Sequence, residues 1–169
     1  MKVSIPTENG VLAAKYAKQA APELQLKRHP IISFPIHIED VPAAAKSLAF
    51  VFYDDDAIPV SGFTWIHWTA ANLPVGTTDI PENASRLGSI SMVQGNNSTA
   101  GGYVGETDPT LTQHYVGPYP PNKDHDYTFK LYALDTELDL KPGYWLNDFY
   151  KASQGHVLTT AKTVVIGKK

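Results

Sequence analysis

The stretch Ser-Leu-Ala-Phe-Val-Phe-Tyr at residues 47–53 is an apolar run of strand length, and the acidic triplet at residues 54–56 ends it. A short apolar run bounded by turn-forming residues is typical of a buried β-strand. Two other segments have strand character: residues 63–70 are aromatic and β-branched, and residues 127–134 alternate between two faces. These three segments predict a mainly β domain.

The remaining periodic signals are shorter. Residues 31–38 alternate loosely around Pro35, which favours an edge strand or a bulge, and residues 164–166 predict a short last strand. Residues 11–21 are rich in Ala and Lys and favour a helix by propensity. Residues 145–150 place four apolar side chains on one helical face. The sequence therefore predicts a few short helices beside the strands.

A long stretch from residue 88 to residue 121 is rich in Gly, Asn, Ser and Thr. A loop of that length is unusual in a small domain and is often functional. The strands are thus expected to be joined by long loops.

The composition is that of one globular domain over residues 1–169, with 43% hydrophobic and 18% charged residues. A formal net charge of −3 provides no basic field that would hold nucleic acid. The absence of Cys excludes disulfides, thiolate metal sites and a Cys nucleophile. No apolar run has the length of a signal peptide core or a transmembrane segment, so we expect a cytoplasmic protein.

Three clusters of polar residues lie near strand ends. They are Asp-Asp-Asp-Ala-Ile-Pro at 54–59, His67 between two apolar residues, and Gly-Pro-Tyr-Pro-Pro-Asn-Lys-Asp-His-Asp-Tyr at 117–127. Each has a purely structural interpretation, respectively a solvated turn, a hydrogen-bonded core histidine and a rigid turn that lacks backbone donors. None of the three defines a site alone.

The order and spacing of these clusters resemble the phosphatidylethanolamine-binding protein family, specifically its bacterial Raf-kinase-inhibitor-like branch. Members of that family carry Asp-Pro-Asp-Ala-Pro after a strand, a His followed by an aromatic residue, then Gly-Pro-x-Pro-Pro and His-Arg-Tyr. The corresponding residues here are 54–59, 67–68, 117–121 and 125–127. The resemblance covers roughly residues 31–166 and implies a β-sandwich of that type, with few short helices, long loops and one small pocket.

In the family, the pocket takes phosphate-like or carboxylate groups, as in a phospholipid head group. The resemblance implies these ligand-binding residues: Asp54, Asp56, His67, Gly117, Pro118, Pro120, Pro121, His125 and Tyr127. Their chemistry suits an oxyanion, because His ring nitrogens and a Tyr hydroxyl can donate hydrogen bonds to it. A carboxylate such as Asp54 can accept from the far nitrogen of a His and fix its tautomer.

Two departures from the family pattern concern the charge of the pocket. Asp55 stands where relatives have Pro, and Ile58 is an extra residue before Pro59. Asp126 replaces the Arg of His-Arg-Tyr, which removes a cation and adds an anion. These motifs therefore do not determine the charge of the ligand.

We expect a binding protein rather than an enzyme, with no cofactor and no metal. The alternative is a hydrolase or a metal-dependent enzyme, because two Asp and two His residues can support acid–base chemistry or bind zinc or iron. The chain has neither a nucleophile elbow nor a P-loop. The resemblance also suggests a regulatory inhibitor of kinases or proteases and a homodimer, but the sequence identifies no protein partner.

Overall fold

The apolar run at 47–53 becomes the central strand of a five-stranded antiparallel sheet in a computed structural model that describes all 169 residues. The strands are β1 (Lys2–Ser4), β2 (Gln25–Leu26), β3 (His29–Pro30), β4 (Ile36–Glu39), β5 (Ser47–Asp54), β6 (Trp65–Leu73), β7 (Asp79–Ile80), β8 (Val93–Gln94), β9 (His125–Leu134) and β10 (Val157–Gly167). The helices are α1 (Ile58–Ser61), α2 (Ala84–Leu87), α3 (Pro109–Thr112) and α4 (Leu146–Ala152). Short 3₁₀ turns lie at Ala14–Tyr16, Pro22–Leu24 and Ser98–Ala100.

The sheets form an open sandwich. The five-stranded sheet has the order β10-β9-β5-β6-β8, a second sheet has the order β1-β4-β7, and β2 and β3 form a separate hairpin. The larger apolar cluster joins the two main sheets, with Ile36 and Ile38 of β4 packed among Phe50, Trp68 and Phe129. The mainly β sandwich predicted from the sequence is confirmed.

The central strand β5 is buried on both faces, which explains its unbroken apolar sequence. Phe50 and Phe52 belong to the cluster between the sheets, whereas Ala49 and Val51 belong to a second cluster on the opposite face. There they meet Phe149 of α4. The helix predicted around residues 145–150 is therefore real, and it covers the outer face of the sheet.

The helix predicted at residues 11–21 is wrong, because tertiary contacts override the helical propensity. Only a single 3₁₀ turn forms there, and the flanking Ala13 and Ala17 are extended. The amide of Leu12 donates to the Ile166 carbonyl of β10 at 2.9 Å, and Leu12 is 3% exposed. Packing against the sheet edge thus determines the conformation of this segment.

Two further predictions need correction. The last strand is not the short 164–166 segment but the eleven-residue β10, whose first half pairs with β9 while its side chains stay largely exposed. The 88–121 stretch is not structureless, since it contains β8, a 3₁₀ turn and α3. The Asn97 side chain organises it by donating to the carbonyls of Leu111 and His114 at 2.7 and 2.8 Å.

None of the helices combines the length and the hydrophobicity needed to cross a bilayer.

Candidate functional site

A cavity of about 490 Å³ opens where β5 ends and β6 and β9 begin. The β2–β3 hairpin and the proline-rich segment that precedes β9 complete its wall. Seven of the nine residues predicted from the sequence line this cavity: Asp54, His67, Gly117, Pro120, Pro121, His125 and Tyr127. The structure thus brings together residues as far apart in sequence as Asp54 and His125.

Asp54 and His125 form a buried pair at the base of the cavity. The Nδ1 of His125 donates to Oδ2 of Asp54 at 2.7 Å, and the two residues are 1% and 4% exposed. The other Asp54 oxygen accepts the Ala57 amide at 3.0 Å, and Nε2 of His125 lies 2.8 Å from Oδ1 of Asn122. Both ring nitrogens of His125 are engaged within the protein, so this residue fixes the shape of the site.

A β-bulge directs His67 into the cavity. In the pairing of β5 with β6, Phe52 lies opposite Trp68 and Tyr53 lies opposite Ile66, so His67 has no partner on β5. Its ring lies among those of Phe52 and Tyr127, with centroid distances of 5.7 and 5.1 Å. His67 and Trp68 therefore face the same side of the sheet, which strict alternation would not allow.

The ring of His67 is oriented by backbone and not by a carboxylate. Its Nδ1 donates to the Val116 carbonyl at 2.8 Å, while its own carbonyl accepts the Val116 amide at 3.1 Å. The pairing of Asp54 with a histidine, expected from the sequence, is thus confirmed for His125 and not found for His67. Nε2 of His67 has no hydrogen-bond partner in the protein and remains available to a ligand.

Burial lowers the pKa of His67 to about 4, against the opposing effects of the Val116 carbonyl and the Asp54 charge. The ring is consequently neutral near pH 7, with its proton on Nδ1 and a lone pair on Nε2. Burial, and next the negative charge of Asp54, raise the pKa of Tyr127 far above its usual value. The Tyr127 hydroxyl therefore keeps its proton throughout the physiological range.

The depressed pKa of His67 predicts destabilisation by mild acid. An unfolded histidine takes up its proton near pH 6.5, whereas the folded His67 does so only near pH 4. The contribution of the neutral ring to stability is complete above about pH 6.5, and up to about 3 kcal/mol is lost as the pH falls towards 4. Urea unfolding at several pH values measures this loss.

The variant His67→Gln should show a flatter pH dependence of the free energy of unfolding over this range. The matched control is His156→Gln, which removes a surface histidine paired with Asp135. Parallel pH profiles for the wild type and His67→Gln would contradict the prediction.

Asp56 and Pro118, the other two predicted residues, lie outside the cavity lining. The Asp56 carboxylate accepts the Asp126 amide at 3.0 Å and pairs with Lys123 at 3.4 Å, which joins the turn after β5 to β9. Pro118 lies behind the wall, where a Cβ on Gly167 would approach it to 2.8 Å. Both residues support the site without facing its interior.

The residues that depart from the family pattern also lie around the turn after β5. Asp55 accepts a hydrogen bond from Thr64 at 2.7 Å, and Ile58 begins the single turn of α1. Asp126 is exposed and does not line the cavity. The acidic substitution therefore does not place a carboxylate inside the site.

None of the sequence motifs indicated the β2–β3 hairpin, although its tip supplies the cations of the cavity. Lys27 and Arg28 form the turn and both line the cavity. Their φ angles of 48° and 71° fall in the left-handed region, where Asn and Gly are usual in such turns. Strands of two residues are too short to show a periodic hydrophobic pattern. The adjacent basic residues Lys27 and Arg28 are therefore the only feature of this segment in the sequence that indicates an anion-binding role.

The two cations differ in their partners. Lys27 pairs with Glu106 at 2.8 Å and with Asp108 at 3.5 Å. Arg28 is exposed and forms neither an ion pair nor a side-chain hydrogen bond within the protein. The hairpin thus presents one uncompensated guanidinium at the cavity.

The cavity lining contains further aromatic residues that the sequence motifs did not include: Trp65, Tyr103 and Tyr119. Phe63 stacks on Trp65 with ring centroids 5.9 Å apart and meets Tyr103 edge-on at 5.8 Å. These rings give the mouth of the cavity an apolar rim. We find no group of three or more His, Asp or Glu side chains arranged to hold a metal ion.

The fold is an open antiparallel β-sandwich with a cavity at its strand ends. The phosphatidylethanolamine-binding protein family model matches residues 3–167. The chain belongs to this family, as the order of its motifs predicted.

Relatives support the assignment over most of the chain. The Bacillus subtilis protein YxkA is 46% identical over 160 residues, covering 95% of both chains. A UPF0098 protein of Methanothermobacter thermautotrophicus is 40% identical over 135 residues, or 79% of this chain and 80% of its own. The crystal structure of a phosphatidylethanolamine-binding protein homologue from Chlamydia trachomatis superimposes with a TM-score of 0.80 at 28% identity, covering 99% of this chain and 97% of that one.

Proposed function

We propose that the protein binds a small oxyanion of the phosphate or carboxylate type in this cavity, either free or as part of a phospholipid head group. The observation that carries the proposal is the unpaired guanidinium of Arg28 beside a cavity whose buried polar groups are held in fixed orientations. A guanidinium binds carboxylate and phosphate groups through paired hydrogen bonds.

The size and stiffness of the cavity support a small ligand. Its volume of about 490 Å³ lies in the range of small-molecule sites. Pro120 and Pro121 restrict the backbone of one wall, and the Asp54–His125 pair restrains the base. A wall that is already ordered lowers the entropic cost of binding.

We also propose that the protein is a binder and not an enzyme. His125 has both ring nitrogens engaged, and the hydroxyl of Ser61 lies within hydrogen-bond distance of the backbone carbonyls of Ala57 and Phe63, at 3.1 and 3.0 Å, to either of which it can donate. The nucleophile–base hydrogen bond expected of covalent catalysis is therefore not made by these residues.

Calorimetric titration with inorganic phosphate and with glycerophosphoethanolamine at pH 6 tests the proposal. The variant Arg28→Gln should weaken binding about 10- to 150-fold, because a hydrogen bond to a charged group contributes about 1.5–3 kcal/mol. Lys123→Gln is the matched control, since its ammonium group pairs with Asp56 and lies outside the cavity lining. Equal affinities of Arg28→Gln and the wild type, or no binding to either probe, would contradict the proposal.

A further inference from the structure

The deep part of the cavity offers hydrogen-bond acceptors to a ligand. Nε2 of His67 carries a lone pair because Nδ1 holds the proton that is donated to Val116. The Asp54 carboxylate beside it can also only accept, and its two oxygens already accept from Nδ1 of His125 and from the Ala57 amide. His67 and Asp54 are 5% and 4% exposed, so these acceptors lie at the base of the cavity.

The backbone of the adjoining wall has few free donors. The Val116 amide donates to the carbonyl of His67 at 3.1 Å, and the Gly117 amide donates to the carbonyl of Pro30 at 2.8 Å. Pro118, Pro120 and Pro121 have no amide hydrogen. In this segment the Tyr119 amide is left without an acceptor in the protein, so the wall offers a ligand a single N–H group where oxyanion sites usually present several.

The cationic donors are at the mouth. Arg28 is exposed on the hairpin turn, and Lys27 beside it is held by Glu106. The site thus combines a guanidinium at its mouth with a free acceptor, Nε2 of His67, at its base. A matching ligand carries negative charge and also brings its own hydrogen-bond donor.

We infer that the cavity selects oxyanions with a protonated oxygen, namely the monoanions of phosphate and phosphomonoesters, over sulfate esters and phosphodiesters. The P–OH group donates to Nε2 of His67, and the charged oxygens face Arg28. This inference rests on the proposed anion site and narrows its ligand to a terminal phosphate. The phosphate of a phospholipid head group links two groups as a diester and is therefore excluded.

The groups that face His67 fit this arrangement. Asp54 on β5 attracts a proton towards the ring, whereas His29 on β3 opposes charge on it. From β9, Tyr127 meets the ring edge-on and keeps its own proton. The balance leaves a neutral acceptor, since burial lowers the pKa of His67 to about 4.

Three probes of equal charge and similar size test the inference by calorimetry at pH 5.5. Methyl phosphate as its monoanion, methyl sulfate and dimethyl phosphate each carry one negative charge, and only the first has an acidic proton on oxygen. We expect methyl phosphate to bind at least about tenfold more tightly than either of the others, because these place a lone pair against Nε2. Raising the pH to 7.5 should weaken methyl phosphate binding roughly 25-fold, since the monoanion is depleted above its second pKa near 6.

The variant His67→Gln provides the matched comparison, because an amide can donate as well as accept. For this variant, the ratio of the affinity for methyl phosphate to the affinity for methyl sulfate should fall towards one. The wild-type comparison stands even if this variant does not fold. Equal binding of all three probes would overturn the selectivity while leaving the anion site intact, whereas no binding of any probe would overturn the proposed function itself.

Discussion

Replacing Asp54 with alanine is expected to lower the free energy of unfolding by at least about 2 kcal/mol, because each buried donor left without an acceptor costs about 1–3 kcal/mol. The change leaves Nδ1 of His125 and the amide of Ala57 without acceptors. Both groups are buried, so water cannot readily replace the carboxylate. Urea unfolding at pH 7, followed by tryptophan fluorescence, measures the loss.

Two further variants test whether the buried Asp54–His125 pair, and not any acidic residue of the turn at 54–56, stabilises the fold. Asp54→Asn keeps one acceptor oxygen and should recover part of the lost stability. Asp56→Ala removes a surface carboxylate paired with Lys123, and such pairs contribute at most about 1 kcal/mol. Similar small losses for the alanine variants of Asp54 and Asp56 would show that the buried pair does not stabilise the fold.

The strands that build the site were predictable from sequence because burial imposes a pattern on them. β5 is apolar throughout since both of its faces are covered, and β9 alternates over much of its length. β10 was largely missed because its first half lies at a solvated sheet edge, where pairing through backbone groups requires no apolar side chains. A hydrophobic pattern in the sequence indicates which side chains are buried. It therefore does not predict strands that are held mainly by backbone hydrogen bonds.

Seven of the nine residues predicted from the sequence line the cavity, but the hydrogen bonds between them could not be predicted. Motif order identified Asp54, His67 and His125, but two histidines and two carboxylates can pair in several ways. The bulge at His67 and the carbonyl of Val116 decide the pairing, and both depend on strand register. Arg28 was missed for a similar reason, because its hairpin is placed by distant contacts that its own residues do not encode.

The close approach of three backbone segments at Gly117 explains how that hairpin is held. The Gly117 amide donates to the carbonyl of Pro30, directly after His29 of the hairpin. A Cβ at position 117 would lie 2.2 Å from the carbonyl oxygen of Tyr16 and 2.8 Å from Cβ of Pro30. The Tyr16 carbonyl cannot retreat easily, because it also accepts the buried hydroxyl of Tyr115 at 2.6 Å.

The variant Gly117→Ala is therefore expected to lower the free energy of unfolding by an amount at or above the upper end of the 1–3 kcal/mol typical of overpacking. It should also weaken phosphate binding, because the methyl group pushes the β2–β3 hairpin, and with it Arg28, away from His67. Gly102→Ala is the matched control, since a Cβ at position 102 meets no atom within 4 Å and the φ angle of that residue is not positive. Thermal unfolding and phosphate titration of both variants test the prediction. Equal stability and equal phosphate affinity of the two variants would mean that the segment at Gly117 accommodates the methyl group without moving the hairpin.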